Sequence, residues 1–399
     1  MYSPLQKRFW TEFLHKARTA SNEDLLVYWL LCPSFFLYVA FHRLPLLYAA
    51  PYIYVLVRSW REIKLGNHLP FVKSNPFFLL VMVLIFLGLL SFLFKDSYFL
   101  AKPMVRDLLI IPGYLLPFVF HHSFLDKHVK AMFYTLIVAY IFWIDYREFD
   151  RFFITFFSAR STTEFDMGLF FGLFLLYFFW QKDWKHILIN IFILLLVSKR
   201  AIYLGLLPAG VWLLYHYFLP RFATEKIRFG LLLFVFLSLT VFSFVVVDLL
   251  DWYFHTVKGT DKRIDFLMNG RAFSLNFILF KIQNSDLWHG LFGHGPGQLD
   301  VQISLFRPVH WAKYYPEPSN PHNDYLKLMY DYGALGFLAF GYLMSRIYSR
   351  NPLGTALFLF TLILFFFDNS LIHSYYNLIS FVIFYVGVTH PNEKALHQS

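Results

Sequence analysis

Charged side chains are scarce in this chain. Asp, Glu, Lys and Arg make up only 15% of its 399 residues, against 58% hydrophobic and 22% aromatic residues. That balance excludes an ordinary soluble domain, in which about a quarter of the residues carry charge. Cysteine is nearly absent. The single Cys32 excludes an intrachain disulfide, and nothing around it suggests metal or redox chemistry. There is no repeat with a period of roughly 20–50 residues and no low-complexity tail. The first 24 residues are charged (Lys7, Arg8, Glu12, Lys16, Arg18, Glu23, Asp24), and no short apolar core with a small-residue cleavage site follows them. A cleaved signal peptide is therefore not expected.

What is present is apolar sequence in long runs. The chain reads as an all-α polytopic membrane protein with about twelve spans. They lie at about 25–41, 44–57, 76–94, 103–120, 131–144, 167–180, 186–198, 201–219, 229–247, 332–345, 353–367 and 372–388. Several fall short of the ~20 residues that cross a hydrocarbon layer. With the N-terminus inside, 18 Lys and Arg fall in inside segments, among them Arg58, Lys127, Lys182, Arg228 and Arg350. The short outside loops carry 9. This bias predicts that both termini are cytoplasmic. The expected order is a cytoplasmic segment 1–24, spans one to nine within 25–247, one large loop outside the cytoplasm at 248–331, spans ten to twelve within 332–388, and a cytoplasmic tail 389–399. The net charge of +10 fits such loop charge, so no nucleic-acid partner is expected.

The large loop is the one sizeable soluble-like portion. Residues 271–283 contain no Gly or Pro and predict an amphipathic helix lying at the membrane–water interface. Gly293-His294-Gly295-Pro296-Gly297 predicts a turn. It is not a dinucleotide fingerprint, because the strand–turn–helix context is missing. Pro308, Pro316, Pro318 and Pro321 keep the approach to His322 irregular. A shorter outside segment, 145–166, places Arg147, Arg151 and Arg160 among phenylalanines and also reads as interfacial.

His322 follows a proline and precedes Asn-Asp, where a new helix begins; Asn323 or Asp324 can cap it. On its own this is a polar turn at a membrane surface. The spacing adds more, because Gly333 and Gly336 predict a small-residue face at the start of the next span. A histidine held there has an ionisation near neutrality, which suits a general base. Arg106 lies beside Asp107 just inside the fourth span, where a charge is costly enough to be a site candidate. His294 and His310 read as loop residues. Glu148, Asp150, Glu164 and Asp166 read as solvated, and no metal site is expected.

Pro321-His322-Asn323, nine residues, Gly333-x-x-Gly336 resembles the motif of the O-antigen ligase and O-antigen polymerase superfamily. Other landmarks follow that family's order: Ser198-Lys199-Arg200 at the end of a span, Asn269-Gly270-Arg271 heading the amphipathic helix, and Leu291-Phe292-Gly293-His294-Gly295-Pro296-Gly297 before the histidine. Ser158-Ala159-Arg160 resembles a further arginine site less specifically. The resemblance covers roughly residues 145–345. It implies a metal-independent, inverting inner-membrane glycosyltransferase without cofactor, with the 248–331 loop periplasmic, moving a glycan from undecaprenyl diphosphate to an acceptor hydroxyl at the periplasmic face. His322 would be the catalytic base. Arg200 and Arg271, helped by Arg160, would hold the diphosphate, because guanidinium groups match phosphate oxygens bidentately. Asn323, Arg106, Gly333 and Gly336 would support the site. The His-Asn, nine, Gly-x-x-Gly form points to a ligase in lipopolysaccharide biosynthesis, with lipid A–core as acceptor. A polymerase would use the same donor and a lipid-linked repeat unit as acceptor. A twelve-span secondary transporter is the rival from another class, but its polar residues would gather at mid-membrane in two related halves.

Overall fold

The computed structural model describes residues 27–41, 82–84, 86–87, 125–147, 167–197, 200–220, 224–252, 271–306, 323–367 and 374–389. The spans expected at 44–57 and 103–120, and most of that at 76–94, lie outside the described residues, as do both terminal segments.

Every regular element among the described residues is helical. A π-helical turn, Val27–Leu31, leads into α1 (Cys32–Phe41). Then come α2 (Asp126–Arg147), α3 (Met167–Gln181), α4 (Trp184–Val197), α5 (Arg200–Phe218) and α6 (Glu225–Trp252). Next are α7 (Arg271–Gln283), α8 (Leu287–Phe292) and α9 (Gln298–Phe306). The described chain closes with α10 (Asp324–Tyr348), α11 (Pro352–Phe367) and α12 (Ser374–Thr389). Among the described residues two stretches, Ala201–Phe218 and Glu225–Val246, are long and apolar enough to cross a membrane; five other apolar helices are shorter.

Helix α3 is apolar all round, and a helix without a polar face must be covered on every side. Its residues from Met167 to Phe174 are all buried. It packs against α4, α5, α11 and α12, which makes it the central rod of this half. Where two apolar helices meet in an apolar surrounding, close approach replaces the hydrophobic effect as the source of attraction. Helix α11 shows this. The Phe360 ring lies so near Gly172 of α3 and Gly205 of α5 that an added methyl would stand 2.3 Å from Cζ at Gly172 and 2.8 Å from Cδ2 at Gly205. Trp212 of α5 adds a hydrogen bond from its indole N–H to the Pro352 carbonyl at 3.1 Å.

Polar side chains tie α2, α3 and α4 at one end. Lys130 bridges Asp126 at 2.8 Å and Asp183 at 3.1 Å. Tyr177 donates to Asp126, and the Tyr134 hydroxyl lies 2.7 Å from His186 Nε2. His186 Nδ1 sits 2.8 Å from Asp183 Oδ2.

The Phe360 slot yields a test. Gly205→Val adds a branched side chain where not even one methyl fits, so it should lower stability by about 1–3 kcal/mol through overpacking. The thermal midpoint of the detergent-solubilised protein reads this. Gly210→Ala is the control, since nothing lies within 4 Å of a Cβ there.

Candidate functional site

The site is built on α10 and the turn that α10 holds. Asn323 has extended backbone and caps the helix, its Oδ1 accepting from the Leu326 N–H at 3.0 Å. Asp324 follows in the first turn, the sign that suits a helix N-terminus. The cap fixes which way the amide points, because Oδ1 is committed to Leu326. Nδ2 therefore faces α6 and donates to Ser243 Oγ at 3.0 Å. Ser243 passes its own proton to the Leu239 carbonyl at 2.8 Å. Both partners are buried.

One turn further on, Lys327 is 2% exposed, yet its ammonium has two anionic partners. It lies 2.9 Å from Asp300 of α9 and 2.9 Å from Asp331, one turn down its own helix. Asp331 also accepts from the N–H groups of Leu299 at 3.0 Å and Gly297 at 3.2 Å. Its carboxylate thus occupies the N-terminus of α9. A glycine-rich turn ahead of a helix is often a cradle for phosphate. Here a side chain of the same molecule already fills that role.

The turn and α10 also meet backbone to backbone. His294 N–H donates to the Tyr330 carbonyl at 3.0 Å, and Gly295 N–H to the Asp331 carbonyl at 2.9 Å. Gly293 (φ 84°) and Gly333 (φ 67°) lie face to face. A Cβ on Gly333 would stand 2.4 Å from the Leu291 carbonyl, and one on Gly293 would stand 2.3 Å from that of Asp331. Both residues need a left-handed backbone and bare space, which only glycine supplies.

This changes the expected part of Gly333. It does not share a helical face with Gly336. It breaks α10 into two helices, and its close neighbour is the C-terminal end of α8, Leu291 to Gly293. Gly336 lies in the second helix, against Tyr332 and Leu87. The break is large. The Phe236 ring of α6 touches both Tyr325 and Phe337, at 5.5 and 4.7 Å between centroids. In a straight helix those two residues would be roughly 18 Å apart.

His294 lies in the loop between α8 and α9, as expected, but its ring is enclosed. Its ring stacks between His289 at 4.3 Å and Tyr330 at 4.2 Å. Ser285 donates to the Lys281 carbonyl, which leaves His294 Nε2 as the donor to Ser285 Oγ at 2.9 Å. Burial, then the neighbouring His289, push this imidazole down to about 4. Asp286 caps α8 and is held below the usual carboxylate range by the His289 backbone N–H and then the His289 ring.

Of the residues expected from sequence, Asn323, Gly333, Gly336 and the Gly293–Gly297 turn come together on α10. The backbones of Arg200 and Arg271 are placed at the first positions of α5 and α7, and α7 packs against α10. His322, Arg160, Arg106 and His310 lie outside the described residues. Sequence reasoning missed the Lys327–Asp300–Asp331 cluster. The Lys327/Asp331 spacing of one helical turn was visible, but Asp300 has no local signal that it returns to the same place. Compared with protein-family models, with curated proteins and with solved structures, the chain finds no match in any of the three.

Two outcomes follow from this geometry. Lys327→Met removes the cation and leaves two buried carboxylates facing each other, so it should cost about 3–5 kcal/mol. A thermal midpoint in detergent equal to that of the unaltered protein would mean the charges are solvated. The second concerns His294. The unfolded chain binds this proton near pH 6.5 and the folded chain only near 4. Stability should be level above about pH 6.5 and fall as the pH drops from there toward 4. His294→Phe keeps the stacking and should flatten that part of a midpoint-against-pH curve.

Proposed function

We propose that the chain is an inner-membrane glycosyltransferase of the O-antigen ligase-related type, with about twelve spans, both termini cytoplasmic and residues 248–331 at the periplasmic face. The observation that carries this reading is the join between the Gly293–Gly297 turn and the helix that Asn323 caps. Two landmarks separated in sequence meet there, Gly293 against Gly333 and Gly295 on the Asp331 carbonyl. The exposed Phe280, Leu287 and Trp288 support an interfacial seat for α7 and α8. Arg271 and Arg200 each open a helix, the wrong end for a cation on dipole grounds alone. A diphosphate at either place would gain both the guanidinium and the backbone N–H groups.

In this reading the donor's lipid lies among the helices and its diphosphate against Arg200 and Arg271, with Arg160 beside them. His322 takes the proton of the acceptor hydroxyl. The acceptor oxygen bonds to the anomeric carbon as the bond from that carbon to the phosphate oxygen breaks. The diphosphate leaves with the electron pair, and the anomeric centre inverts. The energy resides in the phosphate ester, so no nucleotide cofactor takes part. Fixed cations where negative charge develops are the main catalytic asset of such a site. The acceptor in this reading is lipid A–core, which makes the enzyme a ligase.

Purified His322→Ala should lose transfer from an undecaprenyl-diphosphate-linked glycan by at least about 100-fold. Arg200→Lys keeps the charge but not the fork, and should weaken donor use and turnover. Full activity in either variant overturns the corresponding role. A gel of lipopolysaccharide from a deletion strain decides the acceptor. Bare core with polymer left on the carrier lipid marks the ligase, whereas core bearing a single repeat marks the polymerase.

A further inference from the structure

An open groove of about 370 Å³ runs between the first helical segment and α2. The residue sizes explain it. Cys32, Ala131 and Thr135 are small, while Tyr28 and Phe36 on one bank and Tyr134 and Val138 on the other are large. Cys32 is buried, and Tyr28, Tyr134 and Val138 are exposed. Thr135 Oγ1 donates to the Ala131 carbonyl at 2.9 Å, so its proton is spent within α2. The two helices run in the same direction. The Tyr28 ring meets His128 at 5.8 Å between centroids, and Phe36 meets Phe142 at 5.7 Å. From Ala131 to Val138 the groove follows α2 for roughly 10 Å. That is about a third of a ~30 Å hydrocarbon layer.

One end of the groove is chemically marked. Ala131 follows Lys130, whose ammonium bridges Asp126 and Asp183. Tyr134 belongs to both regions. Its ring lines the groove, and its hydroxyl lies 2.7 Å from Nε2 of the buried His186, which in turn contacts Asp183. A tyrosine with an apolar body and a polar tip suits the level where hydrocarbon meets water. The groove starts at that level and is apolar beyond it, as far as Phe36 and Val138.

We propose that this groove seats one acyl chain of a membrane phospholipid, with the lipid's ester and headgroup at the Tyr134–Lys130 end. Ionic groups, then a hydroxyl, then apolar walls follow one another along α2, and a phospholipid has the same order of polarity. The volume is that of a small-ligand site, roughly 300–1,000 Å³. A helix, about 10–12 Å across with its side chains, could only rest on the banks. In the proposed topology this end of α2 is cytoplasmic, which puts the lipid in the inner leaflet. The proposal rests on the membrane residence in that reading and not on the transfer reaction.

The test uses the full chain in nanodiscs of phosphatidylethanolamine and phosphatidylglycerol, doped with a phospholipid that carries a diazirine in its acyl chain. The protein is moved into mild detergent, passed through gel filtration and then irradiated, so that only retained lipid labels it. The control is the outer face of α4, where Leu188, Phe192 and Leu195 are exposed and apolar on a single helix. Peptides containing residues 28–36 and 131–138 should carry at least about fivefold more label than that face, because close packing is what separates a seated chain from a solvating one. Ala131→Phe fills the floor and should remove the excess. Tyr28→Ala takes away one bank at an exposed position and should lower it as well, so the result does not depend on one variant folding; thermal midpoints check both. Equal label on the groove and on α4, or an excess that survives both variants, overturns the site. Retained fatty acid in place of phospholipid by mass spectrometry overturns the assigned occupant. A dimer that becomes a monomer in Ala131→Phe gives the groove to a second copy and overturns it too. None of these results bears on transfer activity. If sodium carbonate strips the chain from membranes, the membrane reading itself falls, and the proposal with it.

Discussion

A buried ammonium between two carboxylates holds the polar half of this molecule together. Taking such ions out of water is costly, and their attraction offsets that cost only where every lone pair is met. Lys327 lies between Asp300 and Asp331, and Asp331 is met again by two backbone N–H groups at the start of α9. Remove the cation and α9, the glycine turn and the first part of α10 lose their common point. The N-terminus of α9 already faces the Asp331 carboxylate. A substrate phosphate meets no unoccupied cradle there. In the proposed mechanism this leaves the arginines at the heads of α5 and α7 to receive it.

Much of the helical architecture was legible in the sequence because it is written locally. The run 271–283 reads as a helix from its lack of Gly and Pro, and α7 has those same bounds. The apolar stretches within 167–247 likewise read as helices, because a long apolar run without breakers has few other ways to satisfy its backbone away from water; the last of them, α6, runs on to Trp252, past the expected end. A cap at Asn323 or Asp324 was readable from the apolar pattern that follows, and the structure gives that place to Asn323. The Gly293–Gly297 turn was readable from its composition.

What was not legible depends on residues far apart in the chain. The Gly333/Gly336 spacing suggests one face of one helix, because sequence periodicity assumes a helix that continues. The structure breaks at Gly333 because the Leu291–Gly293 backbone presses against it, a neighbour some forty residues away. Asp300 and Lys327 meet for the same reason. His294 looked like a loop residue because a Gly-His-Gly-Pro string gives no sign of the rings that enclose it; His289 and Tyr330 come from two other elements.

Helix α6 holds α10 by two polar hooks, Arg228 donating from Nε to the Ser349 carbonyl at 2.6 Å and Ser243 accepting from the Asn323 amide at 3.0 Å, and these have a consequence for its length. From Arg228 to Ser243 the helix climbs roughly 22 Å, and from Gly333 to Ser349 the second part of α10 climbs roughly 24 Å. The two helices match as a ruler matches the gap it measures, and the turn at Gly333 brings Asn323 back to the end of that ruler. Deleting one residue between the hooks would rotate Ser243 by about 100° away from Asn323. Adding a full turn would keep the phase but overshoot by about 5 Å. The spacing of these two side chains along α6 is thus dictated by its partner helix, whatever the thickness of the layer around it.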